Sequence, residues 1–242
     1  QLSGSLRFLY QVLCSEEEME VSVHYLMESG NKWKFIQNAM ACLKDCADAH
    51  YIFLNDVCNI TSCIPLRKES KIFQLWHACG AFKKFGMSTS DLIFGDSRKN
   101  QEKFPYYRNQ TYVTVSSPEI SWAYEEAMDL KGTDTQIVAT GISRTDVFYD
   151  KDFIKKAKET VYSVCPQTRG KKIILYAPTF RGRVVKAEGP DQLNIQAMMD
   201  SLGDEYILLI KHHPFVKKRP DIPDECKDFA LDISEKLEID QL

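Results

Sequence analysis

The sequence predicts an α/β protein built on parallel β-sheets. Short runs rich in β-branched and aromatic residues recur along the chain. Amphipathic stretches of helical length separate many of them. That alternation is the pattern of strand–helix–strand units, with helices on both faces of each sheet. Polar, cationic or imidazole-bearing turns follow several of the strands, and in open α/β sheets ligands sit beyond the carboxyl ends of the strands.

The expected strands are residues 21–26, 51–54, 71–75, 112–115, 136–139, 172–176 and 206–211. Each is a short run bounded by turn-forming or charged residues. Residues 34–47 carry Phe35, Ile36, Ala39, Met40 and Leu43 at helical spacing. Ser117 followed by Pro118 opens a second helix, with serine as cap and proline at the first helical position, running to about residue 130. Residues 152–164 and 192–202 complete the helical set. Residues 1–150 form a first domain. Residues 151–242 form a second, which offers only two clear strands and reads as incomplete, with 234–242 as the start of a further helix.

The 242 residues are 44% hydrophobic and 27% charged, enough to bury a core without disulfides or metals. A net charge of −3 argues against a broad nucleic-acid-binding surface, so any anion site must come from a local cationic cluster. The eight cysteines, Cys14, Cys42, Cys46, Cys58, Cys63, Cys79, Cys165 and Cys226, form no C-x-x-C pair and show no zinc spacing. Scattered thiols of this kind fit a reducing cytosol. No run approaches the roughly 18 apolar residues of a membrane span, and no signal peptide is visible.

Chemistry is expected at four strand ends. Trp76-His77-Ala78-Cys79-Gly80 follows residues 71–75, and Thr140 to Asp146 follows 136–139. Ala177-Pro178-Thr179-Phe180-Arg181-Gly182-Arg183 follows 172–176, and His212-His213-Pro214 follows 206–211. Taken alone, His77 is more often a structural histidine than a catalytic one. Gly80 and Lys83 strengthen the functional reading, since glycine admits substrate and lysine supplies charge. Arg144 and Asp146 suit either a turn ion pair or an anion site. Arg181 and Arg183 can clamp phosphate oxygens. Adjacent imidazoles on a strand face opposite ways, which argues against a metal held by His212 and His213 together.

Together these motifs resemble the CDP-glycerol glycerophosphotransferase family, which builds teichoic acids and related polyol-phosphate polymers in Gram-positive bacteria. Gln74-Leu75-Trp76-His77-Ala78-Cys79-Gly80-Ala81-Phe82-Lys83 is similar to the family's Trp-His segment with its following lysine. Val115-Ser116-Ser117 resembles its Ser-Ser entry to a helix, and Gly141 to Asp146 its Gly-x-Pro-Arg-x-Asp turn, with Ser143 in place of proline. Ala177-Pro178-Thr179-Phe180-Arg181 resembles its Ala-Pro-Thr-x-Arg loop, and Lys211-His212-His213-Pro214 its strand ending in His-Pro. The family's Thr-Asp-Tyr-Ser-Ser segment is absent and would be expected after Leu242.

The resemblance implies a GT-B-like α/β fold of two Rossmann-like domains, the first for acceptor and the second, here incomplete, for donor. It implies transfer of glycerol phosphate or ribitol phosphate from a CDP-activated donor to a hydroxyl of a lipid-linked acceptor, releasing CMP without a metal or other cofactor. His77 then matches the proposed general base, and His213 a histidine near the donor diphosphate. Arg181, Thr179 and Lys211 fall near the donor phosphates; Lys83, Gly80, Arg144 and Asp146 near acceptor or phosphate. The implied setting is cytoplasmic, peripheral on the inner membrane face, with no nucleic-acid partner and self-association left open. The alternatives are a GT-B sugar-nucleotide glycosyltransferase and an inactive acceptor-binding fragment.

Overall fold

A computed structural model describes residues 2, 4–26, 31–92, 95–182, 186–190, 192–239 and 242. The chain divides into two compact units, Gln1–Asp146 and Val147–Leu242.

The first unit holds helices α1 (Gly4–Ser15), α2 (Lys32–Cys46), α3 (Asn59–Cys63), α4 (Arg98–Lys103) and α5 (Ser121–Ala127). Its sheet is wholly parallel, in the order β1 (Tyr51–Leu54), β2 (Lys71–Gln74), β3 (Tyr112–Val115), β4 (Gln136–Ala139). Strand alternation sorts the side chains. Ile52, Ile72, Gln74, Val113 and Val115 share one face and are buried. At one end of that face Ile52 and Ile72 pack with Cys42 and Cys46 of α2; at the other, Val113 and Val115 pack with Tyr124 of α5 and Met128. The opposite face carries an aromatic ladder, with Phe53 stacked on Phe73 at 5.0 Å and Phe73 on Tyr112 at 4.8 Å. The expectation of helices on both faces is thus met differently here, since α2 and α5 share one side. Leu6, Leu9 and Leu13 of α1 line, with Phe53, a cavity of about 730 Å³.

The second unit holds α6 (Lys151–Val164) and α7 (Ile195–Leu202), and a parallel sheet ordered β5 (Lys172–Tyr176), β6 (Tyr206–Ile210), β7 (Ala230–Asp232). Here both sheet faces are covered. Leu209 packs with Val161 and Cys165 at the end of α6, while Leu208 and Ile210 pack with Met198, Met199 and Leu202 of α7. The unbroken apolar run Tyr206–Ile210 follows from this, because a strand buried on both sides has no polar face. Among the described residues, four helices begin on side-chain caps that satisfy leading amides, one of them α4, where Ser97 accepts from Asn100. Asn31 accepts from Trp33 and Lys34, Asp150 from Asp152 and Phe153, and Asn194 from Ala197.

Several boundaries differ from expectation. Residues 21–26 form no strand, because polar groups among them are committed to α2. The His24 ring lies 2.9 Å from Asp45, and Asn38 donates to the Tyr25 carbonyl at 3.1 Å. Helix α7 starts at Ile195, not 192, because Asn194 is its cap. Helix α5 stops at Ala127, and Asp129 turns the chain with φ 53°. β7 is too short to show a period. Residues 234–236 form a turn rather than a helix, with Ser234 bonded to Asp232; residues 240–241 lie outside the described residues. Among the described residues no helix is long and apolar enough to cross a membrane.

Candidate active site

The loop after β2 is held from three sides. Gln74 is fully buried; its side chain accepts from the Trp76 amide at 3.2 Å and donates to the Asp56 carbonyl at 3.2 Å. Trp76 takes φ 58°, a left-handed conformation costly for a bulky residue, and its buried indole stacks on Phe85 at 4.9 Å. The following carbonyls are then pinned by hydroxyls of β3 and its successor segment. Thr114 donates to Leu75 at 3.1 Å, Ser116 to Cys79 at 2.7 Å, and Tyr124 to Ala78 at 3.2 Å. Burial pushes the Tyr124 phenol up to about 12, so it remains a donor throughout the neutral range.

His77 stands in the middle of this loop. Its ring stacks on Trp76 at 4.5 Å, and its Nδ1 lies 3.1 Å from the Asn55 carbonyl at the end of β1. A carbonyl can only accept, so Nδ1 carries the proton and Nε2 presents its lone pair. The strand ends therefore fix both the ring and the tautomer of this imidazole. Gly80 lies under the ring of Phe82, which is 98% exposed; a Cβ at Gly80 would sit 3.0 Å from that ring. Lys83 is exposed beside it.

Arg144 lies in a 3-10 turn, Ser143–Phe148, after β4. Its aliphatic stem packs beside Gly4 of α1, and Ser143 donates to the Ser5 carbonyl. Among the described residues Arg144 and Asp146 make no ion pair. Both share the carboxyl end of the sheet with His77, two strands away from it in the sheet order.

In the second unit the loops after β5 and β6 meet. The Phe180 ring lies 4.8 Å from His213 and 5.4 Å from Phe215, and His213 lies 4.7 Å from Phe215. The Phe215 amide donates to Nδ1 of His213 at 3.2 Å, so in the neutral ring Nε2 carries the proton. His213 is thus the tautomeric opposite of His77, a donor where the other is an acceptor. Arg181 is exposed and held by a bridge to Glu188, with main-chain bonds of 2.8 and 3.0 Å. Its guanidinium lies 3.3 Å from the carbonyls of Thr179 and Phe180. Gly182 has φ 83°, and a Cβ there would meet the Lys186 carbonyl at 2.8 Å, so the turn requires glycine. Arg183 lies outside the described residues. The Lys211 ammonium donates to the carbonyls of Ser234 and Leu237.

Sequence reasoning passed over Asn55, Thr114 and Tyr124, which hold the His77 loop. Asn55 at least follows a strand, the signal that singled out the other four turns. Among the described residues no group of three or more His, Cys, Asp or Glu side chains could hold a metal ion.

A family model described as CDP-Glycerol:Poly(glycerophosphate) glycerophosphotransferase matches residues 1–242. The chain is 36% identical to a teichoic acid poly(ribitol-phosphate) polymerase of Bacillus spizizenii, over 100% of this chain and 38% of the relative. It is 31% identical to a teichoic acid ribitol-phosphate primase of the same organism, over 99% of this chain and 62% of the relative. It is also 31% identical to a teichoic acid glycerol-phosphate primase of Bacillus subtilis, over 72% of this chain and 43% of the relative. The chain thus spans between 38% and 62% of the length of these relatives. A solved structure of the wall teichoic acid polymerase TagF superposes with a TM-score of 0.64 at 15% identity, covering 98% of this chain and 59% of that one. That similarity supports the fold, two α/β units of the GT-B-like class.

Proposed function

We propose that this chain, which belongs to the CDP-glycerol:poly(glycerophosphate) glycerophosphotransferase family, is the part of a transferase that moves a polyol phosphate from a CDP-activated alcohol to an acceptor hydroxyl. The observation that carries the reading is the fixed tautomer of His77, an imidazole with Nε2 available as a base. The first unit would take the acceptor, a lipid-linked teichoic-acid-type polymer, at the carboxyl end of β2. The second unit would take the donor near Phe180, Arg181 and His213.

Phosphoryl transfer asks little covalent chemistry of a protein; it asks for positioning and for charge to be met where it develops. His77 accepts the proton of the acceptor hydroxyl as its oxygen attacks phosphorus. The bond to the CMP phosphate oxygen breaks, and CMP leaves with the electron pair. Arg181 and the Nε2–H of His213 stabilise the negative charge on the transferred and departing groups. The reading assigns that task to these side chains, with no cofactor beyond the nucleotide substrate. The working site would be the cytoplasmic membrane surface, where a lipid-linked acceptor is reached.

A general base contributes about 10²–10⁴ in rate. His77→Ala, in the polypeptide that carries this chain, should lower turnover by that order while donor affinity stays within about twofold. Full-rate transfer of radiolabelled polyol phosphate by folded His77→Ala protein would remove the base assignment.

A further inference from the structure

We propose that Gln74 is a positioning residue for the reaction, a buried clamp that holds His77 in one tautomer. Its effect on turnover rests on the transferase reading above; its effect on the imidazole does not.

Gln74 is the last residue of β2 and pairs with Leu54, the last residue of β1. One further main-chain bond, from the Leu75 amide to the Leu54 carbonyl at 2.8 Å, continues the pairing before the two segments part. Beyond that point His77 Nδ1 meets the Asn55 carbonyl. Gln74 reaches a neighbour on each side of that contact. Its Oε1 accepts from the amide of Trp76, the residue before His77, and its Nε2 donates to the carbonyl of Asp56, the residue after Asn55. One side chain thus ties together the two segments that bring His77 to Asn55. Its amide orientation is forced, since a main-chain N–H can only donate and a carbonyl can only accept. At 0% exposed, Gln74 touches no substrate and acts only through its neighbours.

The clamp has strain to oppose. Trp76 has φ 58°, a conformation that a bulky residue keeps only where its surroundings impose it. The bond from its amide to Gln74 and the stack of its indole on Phe85 supply that constraint. Without Gln74 the Trp76 amide loses its partner, and relaxation of φ there moves the next residue, His77. An imidazole released from Asn55 interconverts between its Nδ1–H and Nε2–H forms, and only the first presents a lone pair at Nε2. The position therefore needs a side chain with both a donor and an acceptor, long enough to span both partners. Methionine has the length and neither group; asparagine has both groups and is one methylene shorter.

The polypeptide that carries this chain, labelled with nitrogen-15 histidine, tests this by NMR at about pH 8.5, well above the roughly 6.5 of an ordinary imidazole. His77→Ala identifies the resonances. In the parent, His77 should give two widely separated nitrogen signals, protonated in type at Nδ1 and unprotonated in type at Nε2. In Gln74→Met and Gln74→Asn they should converge as the tautomers mix, with the His213 signals unchanged. Turnover of CDP-glycerol or CDP-ribitol should fall about tenfold or more, short of the roughly 10²–10⁴ lost with the base itself, while donor KM stays within about twofold. If Gln74→Met does not fold, Gln74→Asn carries the test. A folded variant that keeps the parent's His77 signals would overturn the clamp and leave the transferase reading standing. Mixed tautomers at full turnover would overturn the positioning role. Full turnover in His77→Ala would overturn the base reading, while converged signals in the Gln74 variants would still support the clamp.

Discussion

The base proposed at His77 rests on its other nitrogen, which is bonded to a main-chain carbonyl with no proton to give. Its loop is equally constrained, through Tyr124 and the Ala78 carbonyl. Tyr124→Phe removes that bond at about 0.5–1.5 kcal/mol, and a lower thermal midpoint with turnover reduced more than donor affinity would show that loop order matters to the reaction. An unchanged midpoint would mean that the bond contributes nothing. His212 gives a pH signature. Burial holds its imidazole below the ordinary range, with Arg219 acting in the same sense and Asp232 opposing. The unfolded chain therefore binds a proton that the folded chain refuses, and this contribution to stability falls as pH drops below about 6.5. Urea midpoints at pH 7.5 and 5.5 should differ less in His212→Asn than in the parent. His77 itself was visible in the sequence, but its tautomer was not, because Asn55 lies 22 positions away and meets it only through strand pairing.

At the scale of elements, local chemistry and tertiary demand divide the account. Strands 51–54, 112–115, 136–139 and 172–176 have the bounds that their β-branched and aromatic content suggests. The segment 21–26 has similar content and forms no strand, because His24 and the Tyr25 carbonyl are bonded to α2. No local pattern reveals such a commitment. Helix starts are better written: Asp150 caps α6 as an aspartate should, through Asp152 and Phe153. Asp150→Ala should cost about 1 kcal/mol, within a range of about 0.5–2, measured as a shift in urea midpoint. The β6 core responds more strongly. Leu209 is fully buried against α6, and Leu209→Ala should cost about 2–5 kcal/mol. A loss under 1 kcal/mol would mean that the α6 face collapses around the change or is poorly packed.

At the scale of the molecule, two parallel-sheet units each bring their motif-bearing turns to the carboxyl ends of strands, where such sheets place ligands. The motifs there identified the family because several strand ends matched at once; any one alone fits an ordinary polar turn. What they did not reveal was the opposite tautomers of His77 and His213. That depends on a carbonyl in one unit and an amide in the other, contacts that residue identity does not encode. The central claim is phosphoryl transfer with CMP as leaving group, begun by His77. Its most direct test incubates the polypeptide carrying this chain with CDP-glycerol or CDP-ribitol and a lipid-linked acceptor, and identifies both products. CMP with a new phosphodiester, reduced about 10²–10⁴-fold in His77→Ala, is the predicted result. A nucleoside diphosphate with a new glycoside, or no product from either donor, would contradict it.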